Sequence, residues 1–196
     1  MIQRFHKSLF IVALAAAALI AVPQLRAVPI VTNGGFETGD LTGWAFTGAA
    51  SGSDFFVGND DGVHSGSFAA CFGAVSSDYD VIAQTLPTTA GIDYTLTFWL
   101  QQDGGGSADF QVLWNGALVQ DFPESGSFIG YTMEQFVVLG AGNDTLAFAG
   151  LQNPAWYSLD DVSVTSNNVI PEPSSFLLLI SGLAGMAGVI RRKLTA

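Results

Sequence analysis

Between Val28 and Ile170 the chain contains no lysine and no arginine. The six basic residues all lie in the two terminal segments, at Arg4, Lys7, Arg26, Arg191, Arg192 and Lys193. Of the 17 acidic residues, all except Glu172 lie in the middle segment. Because Lys and Arg are missing there, its carboxylates must be solvated, hydrogen-bonded or bound to metal cations. Such a segment also repels phosphate backbones, which excludes nucleic acid as a partner.

Residues 1–27 have the pattern of a secretory signal peptide. Arg4 and Lys7 form a positive start, Ser8–Val22 is an apolar run rich in alanine, and Leu25-Arg26-Ala27 places a small residue before the cut. We therefore expect export, with signal peptidase cutting after Ala27. An uncleaved membrane anchor is the alternative.

A second apolar segment lies near the C-terminus. Residues 174–190 span roughly 26 Å as a helix, slightly less than the hydrocarbon core of a bilayer. Arg191, Arg192 and Lys193 follow and would stop transfer on the cytoplasmic side. We predict a transmembrane helix at 174–190, with a buried C-terminal helix as the alternative.

The tail at 169–196 resembles the PEP-CTERM sorting signal of Gram-negative bacteria. The resemblance rests on three ordered parts: Pro171, Glu172 and Pro173, a short hydrophobic span, and Arg191 with Arg192. It implies a transient inner-membrane anchor that an exosortase, a membrane cysteine transpeptidase, cuts near the motif. The processed chain would then lie on the cell surface or in the extracellular matrix.

The middle segment, 28–168, shows short apolar runs broken by Gly, Asn, Asp and Ser, without a helical period. Tyr94–Leu100 alternates and is rich in β-formers, and Asn115-Gly116 between Phe110–Trp114 and Ala117–Val119 predicts a two-residue hairpin turn. Further strands are predicted at Asp54–Val57, Phe68–Phe72, Asp80–Leu86, Gln135–Leu139, Thr145–Ala149 and Trp156–Thr165. The pattern predicts one all-β domain, an antiparallel β-sandwich. Cys71, the single cysteine, is expected to be a buried strand residue.

Four short sequence motifs follow one another along this domain. They are Asn33–Gly39 with Gly43-Trp44, His64–Ala70, Thr89–Phe98 and Tyr157–Val164. In this order they resemble the jelly-roll carbohydrate-binding modules of families 4, 9 and 22 and the galactose-binding-like domains. The resemblance covers Val31–Thr165 and implies a jelly roll, with sugar binding as an expectation because many such domains are structural.

The resemblance also implies a structural calcium ion that ties the first strand to the last through Glu37 and Asp160. Asp161 and Asp60 are the neighbouring acids that would complete the set. Calcium takes six to eight oxygen ligands at about 2.3–2.6 Å, which acids and carbonyls supply. The alternative is an ordinary strand end with solvated acids.

The strand pattern agrees with a special geometry near Asp160-Asp161. Tyr157 and Leu159 share one strand parity, whereas Val162 and Val164 share the other. A change of phase between two apolar pairs predicts a β-bulge at the two acids. Such a bulge would aim a side chain and a carbonyl at one ion.

Aromatic residues supply the candidate sugar site. Alternation on the strand at 94–101 turns Trp99 and Gln101 away from the core, and an indole beside polar groups is typical of a sugar platform. Trp156, with Tyr157 beside it, is predicted at a loop mouth. Packing under a loop is the alternative for Trp99, and Trp44 and Trp114 are assigned to the core.

Catalysis is not expected. The domain has one histidine, His64, and no Gly-x-Ser-x-Gly elbow, and its paired acids are typical of solvated turns. We therefore expect an exported, non-catalytic protein of the cell envelope or extracellular matrix that binds polysaccharide through a calcium-braced jelly roll. A structural or adhesive acidic matrix protein is the alternative, and a carbohydrate-active enzyme is the third.

Overall fold

The computed structural model describes residues 28–60, 62–75, 77–124, 126–168 and 182–183. The predicted signal peptide, the PEP motif with Arg191 and Arg192, and most of the predicted transmembrane helix lie outside these residues; Gly182 and Leu183 are helical. Within the described ranges no helix has the length and apolarity needed to cross a membrane.

Ten strands form the domain. They are β1 (Ala45–Thr47), β2 (Phe56–Gly58), β3 (Ala69–Phe72), β4 (Asp80–Leu86), β5 (Asp93–Gln102), β6 (Ser107–Trp114), β7 (Ala117–Pro123), β8 (Ile129–Leu139), β9 (Asp144–Asn153) and β10 (Tyr157–Ser166). They make two five-stranded antiparallel sheets, in the orders β1-β4-β9-β6-β7 and β2-β3-β10-β5-β8. The predicted antiparallel β-sandwich is confirmed.

Aromatic rings fill the space between the sheets. Phe72 of one sheet meets Phe110 of the other edge to face at 5.2 Å, and Phe98 meets Phe148 at the same distance. All four rings are fully buried. Edge-to-face pairs add about 0.5–1.5 kcal/mol each beyond the burial of their area. These contacts therefore stabilise the packing of one sheet on the other.

The predicted faces of β5 are confirmed. Tyr94, Leu96 and Phe98 are buried, whereas Trp99 lies half-buried on the outer face. Trp44 and Trp114 are core residues as predicted, and each indole N–H donates to a backbone carbonyl. Cys71 is buried on β3.

The predicted hairpin turn lies between β6 and β7. Asn115 and Gly116 both have left-handed backbones, with φ of 53° and 77°. Two consecutive left-handed residues are the requirement of a type I′ turn, which Asn-Gly meets at little steric cost.

The predicted bulge is present in β10. The register with β5 shifts between Asp160 and Ser163, and Asp161 has a left-handed φ of 50°. The N-terminal segment runs beside this bulge, where the Val162 N–H donates to the Gly34 carbonyl at 2.9 Å. A Cβ on Gly34 would lie 2.0 Å from the Val162 carbonyl oxygen, so only glycine permits this approach.

Five connections meet at one end of the sandwich, which we call the loop end. They join β1 to β2, β3 to β4, β5 to β6, β7 to β8 and β9 to β10. The hairpin turn between β6 and β7 lies at the opposite end. The loop end therefore brings together residues that are up to about a hundred positions apart in sequence.

Candidate functional site

One turn, His64–Phe68, is held by acids that lie near the start and near the end of the domain in sequence. Asp160 is fully buried, and its Oδ2 accepts the backbone N–H groups of His64 and Ser65, both at 3.0 Å. Its Oδ1 accepts the N–H of Asp161 at 2.7 Å. Burial raises the pKa of the Asp160 carboxyl, and the three N–H donors partly oppose that rise.

Asp161 and Glu37 also hold the turn at His64–Phe68, which we call the braced turn. Asp161 accepts the Ser65 hydroxyl at 2.9 Å and lies 2.7 Å from His64 Nδ1. The Glu37 carboxylate accepts the N–H groups of Ser67 at 2.8 Å and Phe68 at 3.0 Å. Three of the four acids predicted as calcium ligands therefore converge on one turn.

Hydrogen bonds engage three of the four acids predicted as calcium ligands. Asp60 lies exposed in the turn after β2, and the oxygens of Glu37 and Asp160 face N–H donors. Among the described residues, no group of three or more His, Cys, Asp or Glu side chains is placed to hold a metal ion. The link between the N-terminal segment and the last strand, which the resemblance assigned to calcium, is made here by hydrogen bonds. Calcium binding stays a prediction.

The predicted sugar platform at Trp99 is covered. The His64 imidazole stacks on the indole with ring centroids 3.7 Å apart and planes 14° apart, and Tyr131 packs against the imidazole edge. Gln101, the next outward position of β5, is only 8% exposed. The alternative, packing under a loop, is what the structure shows for Trp99, because the braced turn places His64 on its outer face.

Tyr157 belongs to the core, so its prediction as a ligand contact is wrong. It is fully buried, its hydroxyl donates to the Phe122 carbonyl at 2.9 Å, and it accepts from Gln102 Nε2 at 2.8 Å. Burial raises the pKa of this phenol well above its ordinary value, with nearby acids contributing. The parity that Tyr157 shares with Leu159 was the sequence signal for this position.

Trp156 lines a pocket at the loop end. The pocket has a volume of about 100 Å³ and is formed by Asp54, Gly73, Val75 and the segment 152–156. These residues come from three of the five connections and from the end of β9. We call it the loop-end pocket, and of the predicted ligand-binding residues Trp156 is the one that lines it.

The wall formed by Trp156 is fixed in place. Its indole N–H donates to the Asp54 carbonyl at 3.3 Å, and its ring meets Phe56 edge to face at 5.9 Å. A Cβ on Gly73 would lie 2.4 Å from Trp156 Nε1. The absence of a side chain at Gly73 is therefore what lets the indole lie against this strand end.

Gln152 is one of the residues that line the pocket. It occupies an inward position of β9 and is 1% exposed, yet neither Nε2 nor Oε1 has a hydrogen-bond partner among the described residues. A buried polar group left unpaired costs about 1–3 kcal/mol. A ligand that offers one donor and one acceptor would remove that cost. The sequence prediction missed Gln152 because it ended this strand at Ala149, although Gln152 shares the parity of Leu146 and Phe148.

A separate polar cluster lies on the outer face of the sheet that contains β6 and β9. The Tyr79 hydroxyl and Gln111 Nε2 both donate to Asp109. The bond to Asp109 raises the pKa of Tyr79 to about 12, and a hydrogen bond between Asp109 and Asp121 raises the pKa of Asp121. These groups satisfy one another, so this cluster has less need of a ligand than the loop-end pocket has.

No family model matches the chain, and no curated protein matches it. Solved structures do match. The K3 cleaved adhesin domain of Lys-gingipain from Porphyromonas gingivalis aligns with a TM-score of 0.56 and 17% identity over 71% of this chain and 99% of that one. The enzymatically active domain of bacteriophage CBA120 tailspike protein 4 aligns with a TM-score of 0.54 and 14% identity over 71% of this chain.

A third match contains a carbohydrate-binding module. The CBM22-1–GH10 modules of Clostridium thermocellum xylanase 10B, solved with xylohexaose, align with a TM-score of 0.51 and 15% identity over 76% of this chain and 30% of that one. The chain spans only 21% of the tailspike domain. At these identities the likeness concerns the fold: the chain has the β-sandwich that carbohydrate-binding modules share with other domains.

Proposed function

We propose that the chain is a glycan-binding protein of the cell surface or extracellular matrix, and that the loop-end pocket is its sugar site. The observation that carries the proposal is the buried, unpartnered amide of Gln152. A primary amide offers an acceptor and a donor side by side. Two adjacent sugar hydroxyls match that pair, because one donates to Oε1 while its neighbour accepts from Nε2.

The rest of the pocket suits a sugar as well. The Trp156 indole gives an apolar wall for the C–H groups of a pyranose, and Asp54 gives oxygen acceptors at the rim. A volume of about 100 Å³ is room for several waters, each of which needs about 10–15 Å³. That is the scale of one sugar residue entering by an edge. The pocket therefore suits the end or a side branch of a polysaccharide.

Export and sorting form part of the same proposal. The separation of all basic residues from the acidic domain supports removal of both terminal segments. We propose processing by signal peptidase and an exosortase, an inner-membrane anchor through the C-terminus before processing, and a final location outside the cell of a Gram-negative bacterium. We also propose that the domain is non-catalytic, because the imidazole of its one histidine is stacked on the Trp99 indole.

A structural or adhesive matrix protein is the second candidate. The observation that favours it is an exposed apolar stripe on the edge strand β8, where Met133, Val137 and Leu139 are 56%, 63% and 60% exposed. Such a stripe is typical of a surface that associates with other chains. A chain that self-associates but retains no glycan would favour this candidate.

Substitution of Gln152 separates sugar binding from folding. The purified full chain, in mild detergent, is titrated calorimetrically with oligosaccharides of several classes, and compared with its Gln152→Leu variant. We expect binding to be lost while the free energy of unfolding stays equal or rises, because an unpaired buried amide is replaced by an apolar group of similar size.

Gln135→Leu, an exposed position on β8, is the matched control and should bind as the parent does. Unchanged binding by Gln152→Leu would overturn the assignment of the pocket. A fall in stability of several kcal/mol would show that the amide has a partner in the folded protein and would remove the observation on which the proposal rests.

A further inference from the structure

We infer that the loop-end pocket selects an amino sugar whose amine is unsubstituted and protonated. The inference rests on the proposed function and names the ligand class of the same site. Its basis is the charge of the groups around Gln152.

One acidic residue lines the pocket, and two others lie elsewhere at the loop end. Asp54 lines the pocket directly. Asp80 is fully buried at the start of β4, where it pairs with Gly150, one inward position before Gln152 on β9. Asp80 Oδ1 accepts the Ala49 N–H at 3.0 Å, and Oδ2 has no partner among the described residues. Asp78 lies in the adjoining connection and accepts the Ser51 hydroxyl at 3.1 Å.

No basic side chain offsets these acids, since the sequence from Val28 to Ile170 has neither Lys nor Arg. A uronate or a sulfated sugar would bring a further negative charge into a partly desolvated site without a counter-charge, which opposes binding. An ammonium group would enter with the opposite sign and gain from each nearby carboxylate. The electrostatics thus rank cationic sugars first, neutral sugars second and anionic sugars last.

Hydrogen-bond capacity agrees with this ranking. An ammonium group is a donor only, so it can donate to Gln152 Oε1 and to the Asp54 carboxylate, while the neighbouring hydroxyl accepts from Gln152 Nε2. An N-acetyl group in the same place would lose the charge. It would also need room for an acetyl group in a pocket of about 100 Å³. A 2-amino-2-deoxyhexose with a free amine therefore satisfies both the charge and the unpartnered amide.

The test compares four oligosaccharides of equal length on the purified full chain: glucosamine, N-acetylglucosamine, glucose and glucuronate oligomers. We expect the glucosamine oligomer to bind at least tenfold more tightly than the others. Its affinity should fall as the pH is raised through the pKa of its amine, whereas the affinity for the glucose oligomer should not change. Asp54→Asn should reduce the preference about tenfold.

Asp93→Asn is the matched control, because Asp93 is an exposed acid where β5 begins, at the opposite end of the sandwich. This variant should keep the preference for glucosamine. If the glucosamine and glucose oligomers bind equally and Gln152→Leu abolishes both, the amine selection is overturned and the proposed function stands.

Two further outcomes are decisive. If the glucosamine oligomer binds but neither Asp54→Asn nor Gln152→Leu weakens it, the interaction is general attraction to an acidic protein, and the inference is overturned. If none of the four oligomers, nor any glycan of the wider panel, binds the parent chain, the proposed function fails together with the inference.

Discussion

The Asp160 carboxylate accepts the backbone N–H of His64 at 3.0 Å, although 96 residues separate the two in sequence. The same oxygen accepts the N–H of Ser65. One buried side chain on the last strand thus fixes the start of a turn that lies far earlier in the chain. The position of His64 over Trp99, and with it the covering of the outer sheet face, depends on this contact.

The first prediction concerns pH. Because burial raises the pKa of Asp160 above 3.8, the folded state binds its proton more tightly than the unfolded state does. The contribution of Asp160 to the free energy of unfolding should therefore fall as the pH rises from 3.8 through the raised pKa. Chemical denaturation at several pH values measures the free energy of unfolding of the parent minus that of Asp160→Asn. This value should decrease as the pH rises over that window. A difference that grows with pH would contradict the raised pKa; Asp60→Asn, at an exposed acid, is the control.

The second prediction concerns the brace at Glu37. Removal of its charge weakens the hydrogen bonds from Ser67 and Phe68, so Glu37→Gln should lose about 1 kcal/mol of stability even with a chelator present. Thermal melts with calcium and with chelator measure this. A calcium-induced rise in the Tm of the parent that Glu37→Gln abolishes would instead support the predicted calcium site.

The third prediction concerns Trp99. His64→Ala should expose the indole face that the imidazole now covers, and should shift the tryptophan emission to longer wavelength. The shift should be absent in a Trp99→Phe background. His64→Phe, which keeps a flat ring over the indole, is the matched control and should leave the emission close to that of the parent. Identical spectra for His64→Ala and the parent would argue against the stacked arrangement.

The fourth prediction concerns Tyr157. Its hydroxyl is a partner of Gln102 Nε2 and of the Phe122 carbonyl inside the core. Tyr157→Phe should therefore cost about 1–3 kcal/mol in the free energy of unfolding, because a buried donor loses its acceptor. Glycan binding at pH 7 should not change. Tyr131→Phe, at a half-exposed position on β8, should have a smaller effect on stability.

The fifth prediction concerns Gly73. A methyl group there would lie 2.4 Å from Trp156 Nε1 and 2.7 Å from Cδ1, so Gly73→Ala should displace the indole and narrow the pocket. We expect at least a tenfold loss of sugar affinity in calorimetric titration. Gly130→Ala is the control, since a Cβ at Gly130 would meet the Phe128 ring at an ordinary 3.8 Å. Full binding by Gly73→Ala would place the sugar site elsewhere.

Local patterns predicted those elements whose cause is local. The Asn115-Gly116 turn follows from the left-handed preference of its two residues, and the bounds of Asp80–Leu86 match β4. The change of apolar parity around Asp160 marked the bulge that the register of β10 contains.

Elements that depend on a partner strand were harder to predict. β1 was missed because its three residues, Ala45–Thr47, are all exposed and form a strand only through pairing with β4. β8 begins six residues before the predicted Gln135. The prediction missed this part of the strand because several exposed positions are apolar, so apolar and polar residues do not alternate clearly. Edge strands carry a weaker sequence signal than central ones.

The candidate site was only partly predictable for a similar reason. Trp156 stood out as an aromatic residue near a loop, but Asp54 and Gly73 reach the pocket from two other connections, and Gln152 reaches it from β9. No spacing pattern in the sequence predicts that these residues lie together. Trp99 was placed on the correct face of β5, yet its cover by His64 follows from a contact with Asp160 that alternation does not encode.

The last strand of the domain lies in the middle of its sheet, with β3 on one side and β5 on the other. Until Tyr157–Ser166 arrives, the pairs β2-β3 and β5-β8 are two separate ribbons with open edges, and the braced turn lacks Asp160 and Asp161. A chain that emerges N-terminus first therefore cannot complete either the sheet or the turn before its final strand is available. Folding of this sheet is therefore tied to the last strand of the domain, because β10 is the central strand on which both ribbons pair.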